Sequence, residues 1–325
     1  VSMLANNNKM IINKLAKNSV KSNKKQYGIL FFTIVLSAFM LFCVFTIGLT
    51  YLDSSRLQNT RLNGAEYDIT TMNGFTSKQV KSLQSNKNIQ NVGMESYAGF
   101  IKSSEFDNTV EIGLLWCDET FWNNLMSPAR TKLDGHYPQN KNELMVTKDI
   151  LKACGNENLS VGDSIVLTYE NNTGVHTDKF VISGIWDGYG DKSAGFVSKN
   201  FYDETGYDLK NDGILCIKLN RNYVLPTTIQ SLEKSLNFSD RQIFAPTDYI
   251  ENSFKLLLGI CGLALVICLS AYLLIYNILY LSVSGKIRYY GLLQSLGMTK
   301  KQLVRFITKQ MLFIAIAGIF IGNLL

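Results

Sequence analysis

The sequence predicts a membrane α-helical protein carrying a large α+β extracytoplasmic domain with a β-rich insertion. Three observations predict it. Uncharged apolar runs occupy 28–52 and 256–285, all 26 acidic residues lie between those runs, and that stretch contains short apolar segments bounded by turn signals. At about 1.5 Å rise per residue, either run is long enough to cross a hydrocarbon core about 30 Å thick. A third run, 310–325, is apolar to the last residue, but its 16 residues fall short of the roughly 20 that a span needs. Three spans are therefore expected, the last cut short, as in a fragment of a longer protein.

The elements follow in order. Residues 1–27 hold six lysines (9, 14, 17, 21, 24 and 25) and no acid. They are expected to form a cytoplasmic amphipathic helix, its 10–25 stretch lying on the inner surface with lysines toward anionic lipid. Residues 28–52 form the first span. The run is too long for a signal-peptide core and TYLDSS offers no cleavage site, so it reads as an uncleaved anchor. Residues 53–255 form the outer domain, 256–283 the second span, 284–302 a cytoplasmic loop and 303–325 the start of the third span. The segment 284–310 again holds only bases: Lys286, Arg288, Lys300, Lys301, Arg305 and Lys309. Short basic flanks stay in the cytoplasm, which puts both ends inside and 53–255 outside a multiply crossed cell membrane. The whole-chain charge of +6 conceals an outer region with 26 acids and 20 bases.

Within 53–255 the pattern predicts a short helix over 77–86, with Val80 and Leu83 on one face and Ser77 as N-cap. A strand follows over 91–101. Segments 143–146, 164–169 and 179–185, parted by GD, NNTG and DG turn signals, suit a small antiparallel β-unit. A strand over 214–219 and a helix over 227–236 complete one α/β unit with a β-rich insertion.

Signatures of catalysis are missing. No phosphate-cradling GxxxxGK[ST] exists, since Gly285-Lys286 is followed by Ile287 and position 280 is Tyr. His136 and His176 are forty residues apart without ligand-spaced neighbours, and no GxSxG elbow occurs. No enzyme activity, cofactor, metal or nucleic-acid partner is expected of this chain. The sequons at Asn158, Asn171 and Asn237 carry little weight in an Asn-rich region. Cys43, Cys261 and Cys268 fall in spans and Cys117, Cys154 and Cys216 outside, so at most one pair could form; ordinary small hydrophobes are the favoured reading. The apolar runs hold no charged residue or His, which disfavours a gradient-driven transporter and requires energy from elsewhere. Asn277 with Tyr272, Tyr276 and Tyr280 reads as a helix-packing stripe and interfacial aromatic belt. Gly318 and Gly322 form a GxxxG that permits close helix packing.

The loop KIRYYGLLQSLGMTKKQ, 286–302, is short, basic and firmly placed between spans. Ile287, Tyr290, Leu293 and Leu296 recur at three-residue steps beside Leu292, which gives a helix an apolar stripe. Gly297 is a natural stop, and Thr299 is suited to cap a further helix. Two readings stand: a membrane-surface helix, or a peg for a groove on a cytoplasmic partner.

This loop resembles that of FtsX/MacB-type ABC transporter permeases, whose pattern is a basic pair, Glu-Ile-Gly, aliphatics, then a small residue and Leu-Gly. Lys286 and Arg288 match the basic positions, Gly291 the glycine, Leu292 and Leu293 the aliphatics, and Leu296-Gly297 the close; Tyr289 and Tyr290 replace the usual Glu-Ile. The outer stretch GHYPQNKNELMVTKDILKACG…LSVGDSIVLTY…KFVISGIW is similar to the periplasmic core domain of that family. The resemblance implies the permease subunit of a type VII-like ABC transporter. A separate cytoplasmic ABC ATPase would bind the loop helix of each of two permease chains, identical or different, and move the outer domains by mechanotransmission. Its contact would be Gly291, Leu292, Leu293, Leu296, Gly297 and Met298, with Lys286 and Arg288 at the membrane-proximal rim. Lipoprotein, peptide, drug and lipid substrates all stay open. The alternatives are a ligand sensor, disfavoured because only about 25 residues separate the second and third apolar runs, and an activator of cell-wall hydrolases from the same family.

Overall fold

The computed structural model describes residues 9–102, 112–190 and 194–325, with side chains from Ile11 onward. Residues 1–8 of the expected N-terminal helix lie outside the described residues. The chain divides into two compact units: residues 1–51 with 257–325, and residues 52–256.

In chain order the elements are α1 (Lys9–Ser22), α2 (Lys24–Asn63), β1 (Ile69–Met72), α3 (Ser77–Gln84), β2 (Ile89–Lys102), β3 (Ile112–Cys117), β4 (Arg130–Gly135), β5 (Glu143–Val146) and α4 (Lys148–Ala153). Then come β6 (Ser164–Asn171), β7 (Gly174–Gly188), β8 (Ala194–Val197), α5 (Lys199–Tyr202), α6 (Leu209–Asp212), β9 (Ile214–Leu219), α7 (Pro226–Ser235) and β10 (Ile243–Pro246). The chain closes with α8 (Asp248–Ser284), α9 (Ile287–Ser295) and α10 (Lys300–Leu324). Thr76 caps α3 in place of the expected Ser77. Its hydroxyl accepts from the Gln79 N–H while the Gln79 side chain accepts from the Thr76 N–H, a reciprocal pair that needs the extended backbone found at Thr76.

The α/β unit is organised by the long strand β2. Beside its first half the order is β10-β1-β9-β2, all antiparallel, with α3 joining β1 to β2 and α7 joining β9 to β10. This is a split βαβ arrangement, with Ile69, Leu83, Ile217, Leu232 and Ile250 in its core. Beyond a register shift between Tyr97 and Gly99, the second half of β2 belongs to a ring, β2-β3-β8-β5-β7-β6, that returns to β2. Closing the ring leaves no free edge among these strands. Its core holds Ile101, Leu114, Leu144, Ile165, Phe180 and Ile182.

The insertion departs from the antiparallel unit expected of it, because β3 with β8 and β5 with β7 run parallel. The NNTG signal gives the tight hairpin. With Asn171 opposite Gly174, β6 and β7 extend beyond the segments 164–169 and 179–185. The register also decides the cysteine question for two residues. Cys117 pairs with Glu95 on β2, and Glu95 with Ile214 on β9, two residues before Cys216, so both thiols face one side of the sheet. They are two strand spacings apart, about 10 Å, beyond the roughly 7 Å that a disulfide spans. All six cysteines are free.

In the helical unit, Gly318 and Gly322 let α10 meet α2. A Cβ on Gly318 would lie 2.8 Å from Ile34 Cγ2, and one on Gly322 would lie 2.6 Å from the Val35 carbonyl oxygen. On α1, Ile12 and Ala16 are buried with Tyr290 and Phe306, of α9 and α10. Tyr272, Tyr276 and Tyr280 stack in a row along α8 at 6.2 and 6.4 Å, and all three stay exposed, as does Asn277. The expected packing stripe is therefore not used within the described residues.

Candidate partner-docking site

The connection between α8 and α10 is an elbow held at both bends. After Ser284 the chain turns through Gly285 and Lys286, whose N–H groups donate to the Leu281 and Val283 carbonyls, and enters α9. At the far end Gly297 adopts φ +98°, a conformation that favours glycine. It allows Met298 N–H to reach the Leu293 carbonyl and Gly297 N–H the Gln294 carbonyl, both at 3.0 Å, closing α9 in a Schellman motif. Thr299 then opens α10 with a capping box: its N–H donates to Gln302 Oε1 at 2.9 Å and its hydroxyl accepts from Gln302 N–H at 3.3 Å.

This geometry splits the predicted stripe. Tyr290 and Leu293 turn inward against Ile12, Ala16 and Phe306, and burial pushes the Tyr290 phenol up to about 12. Ile287, Leu292 and Leu296 face outward at 65, 62 and 83 % exposure. Arg288, Gly291 and Gly297 are exposed and Met298 is half-buried. Lys286 is not free at a rim. Its Nζ lies 5.0 Å above the Tyr27 ring, is buried, and finds no hydrogen-bond acceptor. Burial lowers its pKa. Residues 1–51 and 257–325 contain no Asp or Glu, so the unit offers it no counter-charge.

Sequence reasoning missed Tyr27 and Gln310, whose side chains join here: the Tyr27 hydroxyl donates to Gln310 Oε1 at 2.8 Å. A signal was present. Tyr27 and Lys286 border the first two apolar runs and Gln310 begins the third, so all three mark one depth.

A second cluster, in the α/β unit, was also missed. Lys218 on β9 lies 3.3 Å from Asp68 and 3.2 Å from Glu66, and Arg56 on α2 lies 3.4 Å from Glu66. Asp68 also accepts the Leu219 N–H at 2.8 Å. Burial raises the Asp68 pKa, and Lys218 beside it pulls the other way. These charges tie the outer end of α2 to the central strand.

Comparison with known proteins bears on the elbow. Residues 261–325 match the family model described as FtsX-like permease C-terminal, which takes in most of α8 and all of α9 and α10. No curated protein matches the chain at a significant level. Three solved structures are similar to it. The periplasmic region of MacB from Actinobacillus actinomycetemcomitans has 14 % identity and a TM-score of 0.40, covering 60 % of this chain and 95 % of that one. The extracellular domain of the noncanonic ABC-type transporter YknZ from Gram-positive bacteria has 11 % identity and a TM-score of 0.37, covering 55 % and 98 %. A domain of a putative permease protein from Porphyromonas gingivalis has 12 % identity and a TM-score of 0.36, covering 60 % and 95 %. Helices α2, α8 and α10 are each long and apolar enough to cross a membrane. The last 65 residues of the chain, which hold the loop motif, are thus similar to the C-terminal part of FtsX-like permeases.

Proposed function

We propose that this chain couples ATP hydrolysis on a separate cytoplasmic ATPase to movement of its extracytoplasmic domain. The carrying observation is the outward ridge of α9. Leu292, and Leu296 about one turn on at the C-cap, are large, apolar and exposed on a nine-residue helix fixed at both ends, with exposed Ile287 on its other flank. A rigid helix with such a face suits a groove on a partner, which reads it as spaced anchors. In this reading Leu292, Leu296, Gly291, Gly297 and Met298 meet the ATPase and Arg288 flanks them, while Leu293 and Lys286 hold the elbow to its own unit. Two permease chains, identical or different, pair around an ATPase dimer, and the lysines of α1 meet lipid. The cargo is a peptide, lipid or drug at the outer membrane face.

The test is co-purification of the chain with its ATPase. Leu292→Asp with Leu296→Asp is expected to lower ATPase recovery more than tenfold while the melting temperature changes little, since exposed positions tolerate substitution within about 0.5 kcal/mol. Undiminished recovery of the ATPase would refute the docking role.

A further inference from the structure

A polar cleft of about 350 Å³ opens on the α/β unit where the turn before α3, the segment holding α6 and the link from α7 to β10 meet. Its walls are braced against one another. Asn73 Nδ2 donates to the Arg241 carbonyl at 2.8 Å, Gln242 Nε2 to the Gly74 carbonyl at 2.7 Å, and buried Gln79 through Nε2 to the Leu236 carbonyl at 3.1 Å. The third wall is tied in by Gly74 N–H to the Gly213 carbonyl and Phe75 N–H to the Leu209 carbonyl, at 2.9 and 3.0 Å.

Backbone strain collects here. Among the described residues the non-glycine positions with positive φ are Asn73 (64°) and Asn237 (44°), and both line this cleft. Such conformations are costly and persist where the surroundings impose them, often at ligand clamps.

Charge collects here too. Lys78, Lys210 and Arg241 reach the cleft from three separate segments, and among the described residues no Asp or Glu lines it. None of the three forms an ion pair among the described residues. The surrounding region runs the other way, with 26 acids against 20 bases over 53–255. A concave, acid-free group of cations on an acidic domain concentrates anions.

We propose that this cleft binds a small anionic ligand. A carboxylate or phosphate group is held among Lys78, Lys210 and Arg241, and its hydroxyl or amide groups are met by Asn73, Asn211 and Asn237. The volume lies at the small end of ligand pockets, which run from about 300 to 1,000 Å³. The polar rim selects a compact hydrophilic molecule, or the charged end of a larger one, over an acyl chain. This site does not depend on whether α9 engages an ATPase.

Inorganic phosphate and citrate serve as probes, titrated calorimetrically into the full chain in detergent at constant ionic strength with chloride as blank. At least one is expected to bind saturably with one site per chain, and which one binds names the preferred group. Lys210→Glu and Arg241→Glu should each weaken that binding at least tenfold, while Lys132→Glu on exposed β4 leaves it unchanged. If either reversal lowers the melting temperature, Lys210→Gln with Arg241→Gln replaces it, with the same loss of affinity expected at unchanged melting. Failure of both probes to saturate, retained affinity in the cleft variants, or an equal loss in Lys132→Glu would overturn the assignment.

Discussion

Each unit buries one lysine ammonium, and the two are compensated by different means. In the α/β unit, Lys218 has two carboxylates at 3.2 and 3.3 Å. In the helical unit, Lys286 has only the face of Tyr27, among eleven other bases and no acid. A buried ion pair is strongly determined, because removing one partner strands the other charge. A cation over a ring is held by about 0.5 to 2 kcal/mol, little enough for a cytoplasmic partner to displace. The comparison teaches that the α/β unit is fixed internally, whereas the elbow keeps an uncompensated charge beside the face proposed for docking.

Substitution can break this contrast. Lys218→Met leaves buried Asp68 without a cation, while partly exposed Glu66 keeps Arg56, and is expected to cost about 3 to 5 kcal/mol, read as a fall in the melting temperature of the full chain. Adding Asp68→Asn should recover part of that loss, since Glu66 keeps Arg56 at 3.4 Å and no bare charge then remains. A cost under 1 kcal/mol for Lys218→Met would remove the distinction between the two lysines.

A carboxyl without a cation sharpens the same point. Glu95, on β2, has the Cys216 thiol 3.7 Å from its Oε1, and burial raises its pKa from 4.5 to about 7. A raised acid pKa means that the folded chain holds the proton more tightly than the unfolded one. The contribution is whole below pH 4.5 and is lost as pH rises through about 7. Glu95→Gln is therefore expected to match the parent near pH 4.5 and to exceed it at pH 8 by on the order of 2 kcal/mol, measured by denaturant titration at both values. Equal stability at pH 8 would show that the carboxyl is solvated.

The smallest effect belongs to the other lysine. Lys286→Met keeps the aliphatic stem and gives up only the ring contact, so its cost should stay within about 1 kcal/mol. Ring currents on Tyr27 in the NMR spectrum would report the rearrangement, and an unfolded elbow would contradict the weak attachment assigned to Lys286.

Legibility in the sequence followed the range of each interaction. Gly297 and Thr299 were readable as a stop and a cap because both act within four residues, and the NNTG hairpin was readable for the same reason. The strand over 214–219, ILCIKL, stood out as a short, mostly apolar run. Four-residue strands such as β1, β8 and β10 take their identity from partners up to about 175 residues away, and no local pattern marks them. The same holds for Lys218 and Asp68, 150 residues apart. The stripe on α9 was visible, but which half faces outward depends on α1 covering Tyr290 and Leu293, a contact that periodicity does not encode.

The central claim is that the elbow meets a cytoplasmic partner while the α/β unit faces outside, and site-directed labelling tests it most directly. Cysteine is placed at Leu296 and, separately, at exposed Val166 on β6, and intact cells are treated with a membrane-impermeant maleimide, with the parent chain as blank. The expected result is modification at position 166 without permeabilisation and at 296 only after it. Labelling of 296 from outside intact cells would contradict the account.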